Sequence, residues 1–582
     1  MTTTRSGFTK LAAVCIAILL GAVVWELGWP LTRAEHEWSR LIAAVATLGH
    51  LTGILGSYFR KEINRPSLRL LIFQIISCLM IFLLIAREQQ EAGYMRFTEL
   101  SRLVITAGLI AIPTLMSLTR IFEWLVGKQK KGRPLMAPAM QFVASLGVVI
   151  LAGTGLLLLP NSTYPGITLS FTDALFTSTS AVCVTGLNAV DFAHTFTPLG
   201  EMFTLALIQI GGFGIMTFAY FVAMVAGQGF SLRDRVLLTD LLDEDNLGAV
   251  VSFITTIVVS TLFIELCGAV LLYFSWEGKD INLMGEPLWW HSLFHSVSAF
   301  CNAGFSTFPM NLMEPGIRLC YSGQAVIMAL IVCGGLGFGI YKEINSRLAN
   351  RFFSKHRRLH MQWTPYFKLV MISTGILLAG GALAIFAVSS PHAAEPLGEH
   401  LWICLFDSVT ARTAGFNISD YGRYLPAASL IMCGLMMVGG SPGGTAGGMR
   451  TTTCAIAGAE ILRILRGRDH VEFFRRRIDQ RTVARCVITV VVSCAWIGCF
   501  TVLICALEPS MSSLDIFFEN CSAFATVGVS RGITPDLSDP SKYLLIVNML
   551  AGRVGLFAFL IALAGTPTPR HYRYPSVKIP LT

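Results

Sequence analysis

Charge is scarce in this chain: Asp, Glu, Lys and Arg make up 14% of its 582 residues, while apolar types make up 54%. A water-exposed globular protein of this length needs a far more charged surface, so that class is excluded. Paired cysteine spacing is missing too. The 15 cysteines are scattered singly, with no Cys-x-x-Cys pair, and several sit in apolar runs around Cys267, Cys433, Cys494 and Cys499. They read as small core hydrophobes, not as a disulfide or zinc framework. No Gly-x-x-x-x-Gly-Lys-Ser/Thr loop occurs, which argues against an ATP-driven pump, and no dinucleotide fingerprint follows a predicted strand. Gly439-Gly-Ser441-Pro-Gly443 does satisfy Gly-x-Ser-x-Gly. A nucleophile there needs a strand-to-helix turn and a histidine base. This stretch lies in an all-helical apolar setting, and His291, His295 and His400 fall in predicted outer segments, so the chain is not expected to be an enzyme.

What is present instead is a succession of apolar runs of roughly 18 to 25 residues, each enough to cross a hydrocarbon core of about 30 Å. They recur from near residue 8 to residue 565, leaving little room for a soluble domain. The first, Leu11 to Leu27, follows Arg5 and Lys10 as a secretory signal would, but no small-residue cleavage site follows it, so it reads as an uncleaved span. Asn161-Ser-Thr and Asn520-Cys-Ser match a glycosylation sequon. The second lies in a predicted pore segment and is read as chance.

Four short segments repeat, each ending on a glycine and roughly 110 to 120 residues after the last. They are Thr177 to Leu187, His295 to Phe305, Phe406 to Phe416 and Glu519 to Val529, with the glycines at Gly186, Gly304, Gly415 and Gly528. Before each lies an apolar span, at about 140–160, 250–275, 365–390 and 483–507; after each comes a second span with a glycine-rich middle. The repeated segment is too short to cross a bilayer, so a half-crossing pore helix fits. The expected fold is an all-α polytopic membrane protein: four pseudo-symmetric span–pore-loop–span units around one central pore, preceded by about four additional transmembrane helices. The domain boundaries read as 1–130 for the additional helices, 134–228, 229–345, 346–465 and 466–566 for the four units, and 567–582 for a cytoplasmic tail.

Lysines and arginines set the orientation. The loops joining the units hold about sixteen and those flanking the repeated glycines about six, so the glycine loops face outward. One connector carries Arg463, Arg466, Arg468, Arg475, Arg476, Arg477, Arg481 and Arg485; this reads as positive-inside topology, with no nucleic-acid partner. The additional spans, near 8–30, 41–59, 67–86 and 102–125, leave the N-terminus cytoplasmic. A voltage sensor would need arginine at every third position of the fourth. That span has only Arg102 and Arg120 near its ends, with Pro113 between, and a packing or dimerisation role fits better.

A selective cation pore must replace the hydration shell with oxygens, and a ring of backbone carbonyls does so. The carbonyls must turn toward one axis, which requires angles that glycine supplies. The segments Cys183-Val184-Thr185-Gly186, Cys301-Asn302-Ala303-Gly304, Arg412-Thr413-Ala414-Gly415 and Ala525-Thr526-Val527-Gly528 would line such a ring. The run Gly439-Gly440-Ser441-Pro442-Gly443-Gly444-Thr445-Ala446-Gly447-Gly448 interrupts the third unit's second span. It cannot hold a continuous helix. Irregular backbone at membrane depth survives only against protein or a water-filled cavity, so the run would obstruct the path below the ring. Arg553, in an apolar span, should face that cavity. Outer acids Asp173, Asp191, Glu286, Asp407, Asp420, Glu519 and Asp536 could concentrate cations, with Asp407 and Glu519 inside the pore segments.

The motifs SAVCVTGL, SAFCNAGFS, TARTAGFN and SAFATVGVS resemble, in order and orientation, those of the Trk/Ktr/HKT superfamily of potassium uptake proteins. The resemblance covers roughly residues 134–582, and the tail Arg573-Tyr-Pro575 with Lys578 is more similar to the Ktr branch. Cys183 departs from the pattern, where a hydroxyl or β-branched residue is expected. The resemblance implies four fused potassium-channel-like units with one filter glycine each and potassium at the filter carbonyls. Serine at the first glycine goes with sodium in that family, so Gly186 implies potassium. It also implies that Gly439 to Gly448 is the intramembrane gating loop, with Arg553 bonding its carbonyls and adding a positive barrier. Further implications are a homodimer in the lipid of a bacterial inner membrane, seated on a separate cytoplasmic nucleotide-binding regulatory ring, with no cofactor bound by this chain. A sodium- or proton-coupled symporter remains open as the alternative.

Overall fold

In the computed structural model the described residues are 7–30, parts of 32–52, 138–214, 250–353, 363–389 and 396–564. The expected spans at 67–86 and 102–125, most of that at 41–59, the connector near 226–249 and the tail 567–582 lie outside them. After α1 (Gly7–Gly28), a long helix, a short helix and a third helix follow one another four times. The first set is α2 (Pro138–Leu157), α3 (Phe171–Cys183) and α4 (Pro198–Phe213); the second is α5 (Val250–Trp276), α6 (Leu288–Cys301) and α7 (Tyr321–Gly335), continued by α8 (Phe338–Phe353). Then come α9 (Pro365–Val388), α10 (Leu397–Thr410) and α11 (Pro426–Met437), with α12 (Thr451–Leu465) beyond a break. The last set is α13 (Gln480–Leu507), α14 (Ser513–Ala525) and α15 (Asp539–Val554), with α16 (Leu556–Ala564) after it.

Local sequence fixes the helix starts. Thr197 and Thr364 accept the first-turn N–H groups of Gly200 and Phe367, each ahead of a proline at the first helical position, where the missing donor costs nothing. Among the described residues, Ile254–Trp276, Pro365–Val388 and Gln480–Leu507 are long and apolar enough to cross a membrane. Only 22% of the apolar window of α13 is buried, and Val259, Leu262, Phe263 and Phe274 of α5 stand exposed. Surfaces of that kind belong against hydrocarbon, where helices satisfy their own backbone.

The short helices sit inside. Phe176, Phe294, Phe406 and Phe518 are fully or nearly fully buried, ten residues before the glycine in three sets and nine in the third. The third helices pack on the short helices of the following set: α4 on α6, α7 on α10, α11 on α14, and α15 back on α3. Glycine makes three of the within-set approaches close. A Cβ at Gly211, Gly334 or Gly552 would overlap the carbonyl oxygen of Val182, Phe300 or Phe524, respectively, in the last turn of the short helix, the small-residue contact that lets membrane helices touch by backbone. Here lies the physical reason for the glycine-rich middles.

The third helices then end or break at glycine. The chain turns at Gly214 (φ 76°), bends by 94° between α7 and α8 at Gly337, and turns again at Gly555 (φ 90°). Between α11 and α12 the break widens to residues 438–450, pinned at its base by a parallel bridge between Val438 and Met449. One element departs from the all-helical expectation. In the basic connector, β1 (Glu472–Phe473) pairs antiparallel with β2 (Arg476–Arg477) across Phe474 and Arg475, both at positive φ. Val471 and Val483, with Ile456 of α12, form the apolar anchor beneath this hairpin. At the other end of the molecule, Asn161 Nδ2 donates to Leu27 O at 2.9 Å, tying α1 to the turn after α2.

Gly552→Ala and Gly334→Ala are expected to cost about 2 kcal/mol or more, because backbone must shift to admit the methyl group. Gly434→Ala, inside α11 where nothing lies within 4 Å, is the matched control and should leave the thermal unfolding midpoint of the detergent-solubilised protein unchanged or raise it slightly.

Candidate functional site

The four glycine segments meet. Gly186 lies against Ala303 O and Gly304, Gly304 against Gly415 and Ala414 O, Gly415 against Val527 O and Gly528, and Gly528 against Thr185 O and Gly186. The order closes on itself. A Cβ on Gly304 would stand 2.6 Å from Gly415 Cα, and one on Gly528 would stand 3.0 Å from Gly186 Cα. All four glycines have positive φ, at 89°, 70°, 79° and 94°. Two residues earlier, Val184, Asn302, Thr413 and Thr526 are positive as well, whereas the residue between, Thr185, Ala303, Ala414 or Val527, is not. A β-branched residue at positive φ is an outlier, and such strain, of about 1–3 kcal/mol each, gathers at functional sites. Alternating handedness rotates successive peptide planes, so that neighbouring carbonyls can address one side.

Hydroxyls of the short helices pin these segments. Ser180 accepts Gly186 N–H on its Oγ at 3.0 Å and Thr185 N–H on its carbonyl. Ser522 does the same for Gly528, at 3.1 Å, and for Val527. Ser298 Oγ donates to Phe305 O and Thr410 Oγ1 to Phe416 O, while their carbonyls accept from Ala303 and Ala414. The hydroxyl stands six residues before the glycine in three segments and five before it in the third. The shortening falls at the helix end: α10 closes on a right-handed Ala411, where α3, α6 and α14 close on left-handed caps.

The outer acids are mostly occupied. Asp407 accepts from Tyr421 at 2.9 Å, from Tyr424 and from Ser419; Glu519 accepts from Thr534 Oγ1 and Arg531 N–H, both at 2.9 Å, and from Ser530. Both are fully buried behind the glycine segments and tie a short helix to the loop leaving the ring. Asp173 pairs with Lys542 at 2.8 Å, Asp191 with His194 and Asp420 with Arg423. Glu286 lies beside buried Glu201, which takes the Trp290 indole N–H at 2.7 Å; burial holds the Glu286 carboxyl above its usual range. Arg531 acts as an outer clamp. It donates to Asp515 at 2.5 Å, to Ser429 Oγ at 2.6 Å, and to the carbonyls of Tyr421 and Gly422.

Below the ring lies the broken stretch 438–450. Gly447 abuts Thr526 and Gly448 abuts Ala525, so the loop sits directly under the fourth glycine segment. The bend between α7 and α8 holds its other side: Ser441 N–H donates to Gly335 O at 2.9 Å, Phe338 N–H to Gly443 O at 3.0 Å, and Tyr366 to Pro442 O at 2.9 Å. Three guanidinium groups take its carbonyls. Arg553 donates to Thr445 O and also to Gly211 O; Arg412 reaches Gly439 O at 3.2 Å and Arg450 reaches Ala446 O at 2.6 Å.

Sequence reasoning named Arg553 but missed the side-chain role of Arg412 and all of Arg450, Arg531 and the four pinning hydroxyls. Signals existed for some. Arg412 stands where the other segments carry Cys183, Cys301 and Ala525, and a Ser/Thr-Ala pair opens all four. Among the described residues no group of three or more His, Cys, Asp or Glu could hold a metal ion.

A family profile described as TrkH, cation transport protein, matches residues 105–574. The match takes in 105–133, ahead of the first expected unit. The chain is 34% identical over 446 residues to Ktr system potassium uptake protein B of Bacillus subtilis, covering 74% of this chain and 94% of that protein. It is 32% identical over 466 residues to potassium/sodium uptake protein NtpJ of Enterococcus hirae, covering 78% and 99%. Among solved structures, the potassium transporter TrkH from Vibrio parahaemolyticus superposes with a TM-score of 0.60 at 17% identity, covering 85% of this chain and 97% of that one.

Arg531→Ala leaves Asp515 unpaired at a partly buried site and is expected to destabilise by about 3 kcal/mol. Arg423→Ala, at a side chain 78% exposed, should change stability by no more than about 0.5 kcal/mol; thermal unfolding in detergent, read for both variants, checks the contrast.

Proposed function

The chain belongs to the TrkH family of cation transport proteins, and on that premise we propose that it carries potassium into the cell through one central, gated pore. The observation that carries this reading is the closed sequence of four positive-φ glycines, each against the carbonyl before the next. Four pseudo-symmetric units, 134–228, 229–345, 346–465 and 466–566, surround it. Their main-chain carbonyls at 183–186, 301–304, 412–415 and 525–528 take the place of the ion's hydration shell. Relatives named as potassium uptake proteins support potassium as the ion.

Residues 439–448 form the gate. They lie across the path below the ring, and the guanidinium of Arg553 both holds the loop and places positive charge where the cation must pass. Opening requires those carbonyls to let go of Arg553, Arg412 and Arg450, so the loop moves as a hydrogen-bonded body with the α7–α8 bend. The protein works as a homodimer, each chain keeping its own pore, with a separate cytoplasmic regulatory ring that binds nucleotide. Helix α1 packs against the first unit; the bond from Asn161 to Leu27 supports that placement.

Reconstituted into proteoliposomes, the protein is expected to take up rubidium, a potassium mimic, down an imposed potassium gradient without a sodium or proton gradient. Uptake that appears only when one of those gradients is applied would establish the symporter reading instead. The relative named for potassium and sodium makes competition by sodium the second measurement; Gly186→Ser is expected to admit sodium. Arg553→Ala and deletion of 440–447 should each raise flux by about fivefold or more, the scale of a typical coupling energy. Unchanged flux in both removes the gate assignment.

A further inference from the structure

One ionisable side chain at membrane depth takes no part in the ring or the gate. Glu265 stands within α5, 3% exposed, and among the described residues it forms no ion pair. Its carboxylate oxygens take two hydrogen bonds from Gln209 Nε2, at 3.2 Å each, and one from the Cys301 thiol at 3.6 Å. Cys301 ends α6 and opens the second glycine segment. Gln209 belongs to α4, two residues before Gly211, whose carbonyl receives Arg553. Gly212 of the same helix backs onto Cys301, where a Cβ would overlap the sulfur.

The chain carries its own control for this position. Each long helix offers a carbonyl to a side chain of the following short helix: Ile150 O to Ser178 at 2.7 Å, Glu265 O to Ser296 at 2.6 Å, Leu378 O to Ser408 at 2.8 Å, with Leu377 O at 3.3 Å, and Ile497 O to Asn520 at 2.8 Å. Three of the four equivalent residues are therefore aliphatic. The architecture accepts isoleucine or leucine here, so the acid is not a requirement of packing. An ionisable group in the membrane costs several kcal/mol relative to an apolar one, and this one spends its bonds on the filter's shoulder and on the helix that meets Arg553.

We propose that Glu265 is a positioning residue for ion selection, holding Cys301, and through it the segment ending at Gly304, against Gln209 of α4. Ring width at the second segment is thereby set by a buried acid, which among the described residues holds no other segment in this way. The proposal rests on the reading of 301–304 as filter. Because Gln209 and Gly211 share one helix end, the same clamp joins the second filter segment to the helix whose carbonyl Arg553 holds.

The test is rubidium uptake into proteoliposomes with sodium as competitor, on full-length protein. Glu265→Ile installs the residue used in two other units and should assemble normally. It is expected to weaken discrimination against sodium about tenfold, the loss of one to two buried hydrogen bonds, while Glu265→Gln stays within about twofold of wild type. Gln209→Leu should behave as Glu265→Ile does. Wild-type discrimination in Glu265→Ile overturns the proposal. So does a Glu265→Ile protein that fails to assemble while Gln209→Leu discriminates normally, which assigns the acid to packing. Absence of rubidium uptake by the wild-type protein would instead overturn the uptake reading itself.

Discussion

Backbone polar groups at membrane depth must be satisfied from within the protein, and this chain places more irregular backbone there than any other constraint would tolerate. The two irregular regions solve the problem differently. The glycine segments have their amides engaged by the hydroxyls and carbonyls of Ser180, Ser298, Thr410 and Ser522 or by the helix ends. In the stretch 438–450 the carbonyls themselves are taken, by Arg412, Arg450, Arg553 and Tyr366. In the proposed function, one region is the one that an ion completes. The other has these four carbonyls bonded within the protein.

The positive charge needed to close the loop is itself expensive in a membrane, and its distribution follows the connectivity. Arg553 comes from the fourth set, Arg412 from the glycine segment of the third, and Arg450 from the loop's own exit. Arg412 gains access because its segment is one residue shorter between hydroxyl and glycine. A side chain that in the other segments is a small thiol or methyl becomes, in the third, the strut between ring and loop.

Much of this was legible in the sequence. The apolar spans, the repeated glycines, the break at 439–448 and the placement of Arg553 in an apolar helix all follow from composition, periodicity and the cost of burying charge. The third helices were legible as glycine-rich but not as touching, because which carbonyl Gly211, Gly334 and Gly552 approach depends on packing across elements. Arg450 was hidden because an arginine after a glycine run reads equally well as a helix-end charge facing water. The enclosure of the outer acids was hidden for a related reason. Asp407 and Glu519 occupy pore segments in sequence, yet tyrosines, serines and a threonine distant in the chain enclose them. Glu265 escaped notice within a long apolar run, where a single acid looks like noise until the equivalent Ile150, Leu378 and Ile497 are placed beside it.

The order of packing runs one way round: each third helix covers the short helix of the next set, and the last covers the first. The contacts that finish the circle, Lys542 with Asp173 and Tyr543 with Thr172, join residues 369 and 371 positions apart. During synthesis the first short helix therefore enters the membrane with its flank uncovered and waits for almost the whole remaining chain to be threaded. Contacts between residues so far apart in the chain form slowly, and until they form the polar side chains of the first short helix lack their final cover. For this architecture the hazardous moment is biogenesis, and a ribosome that stops before residue 542 releases a ring that cannot shut.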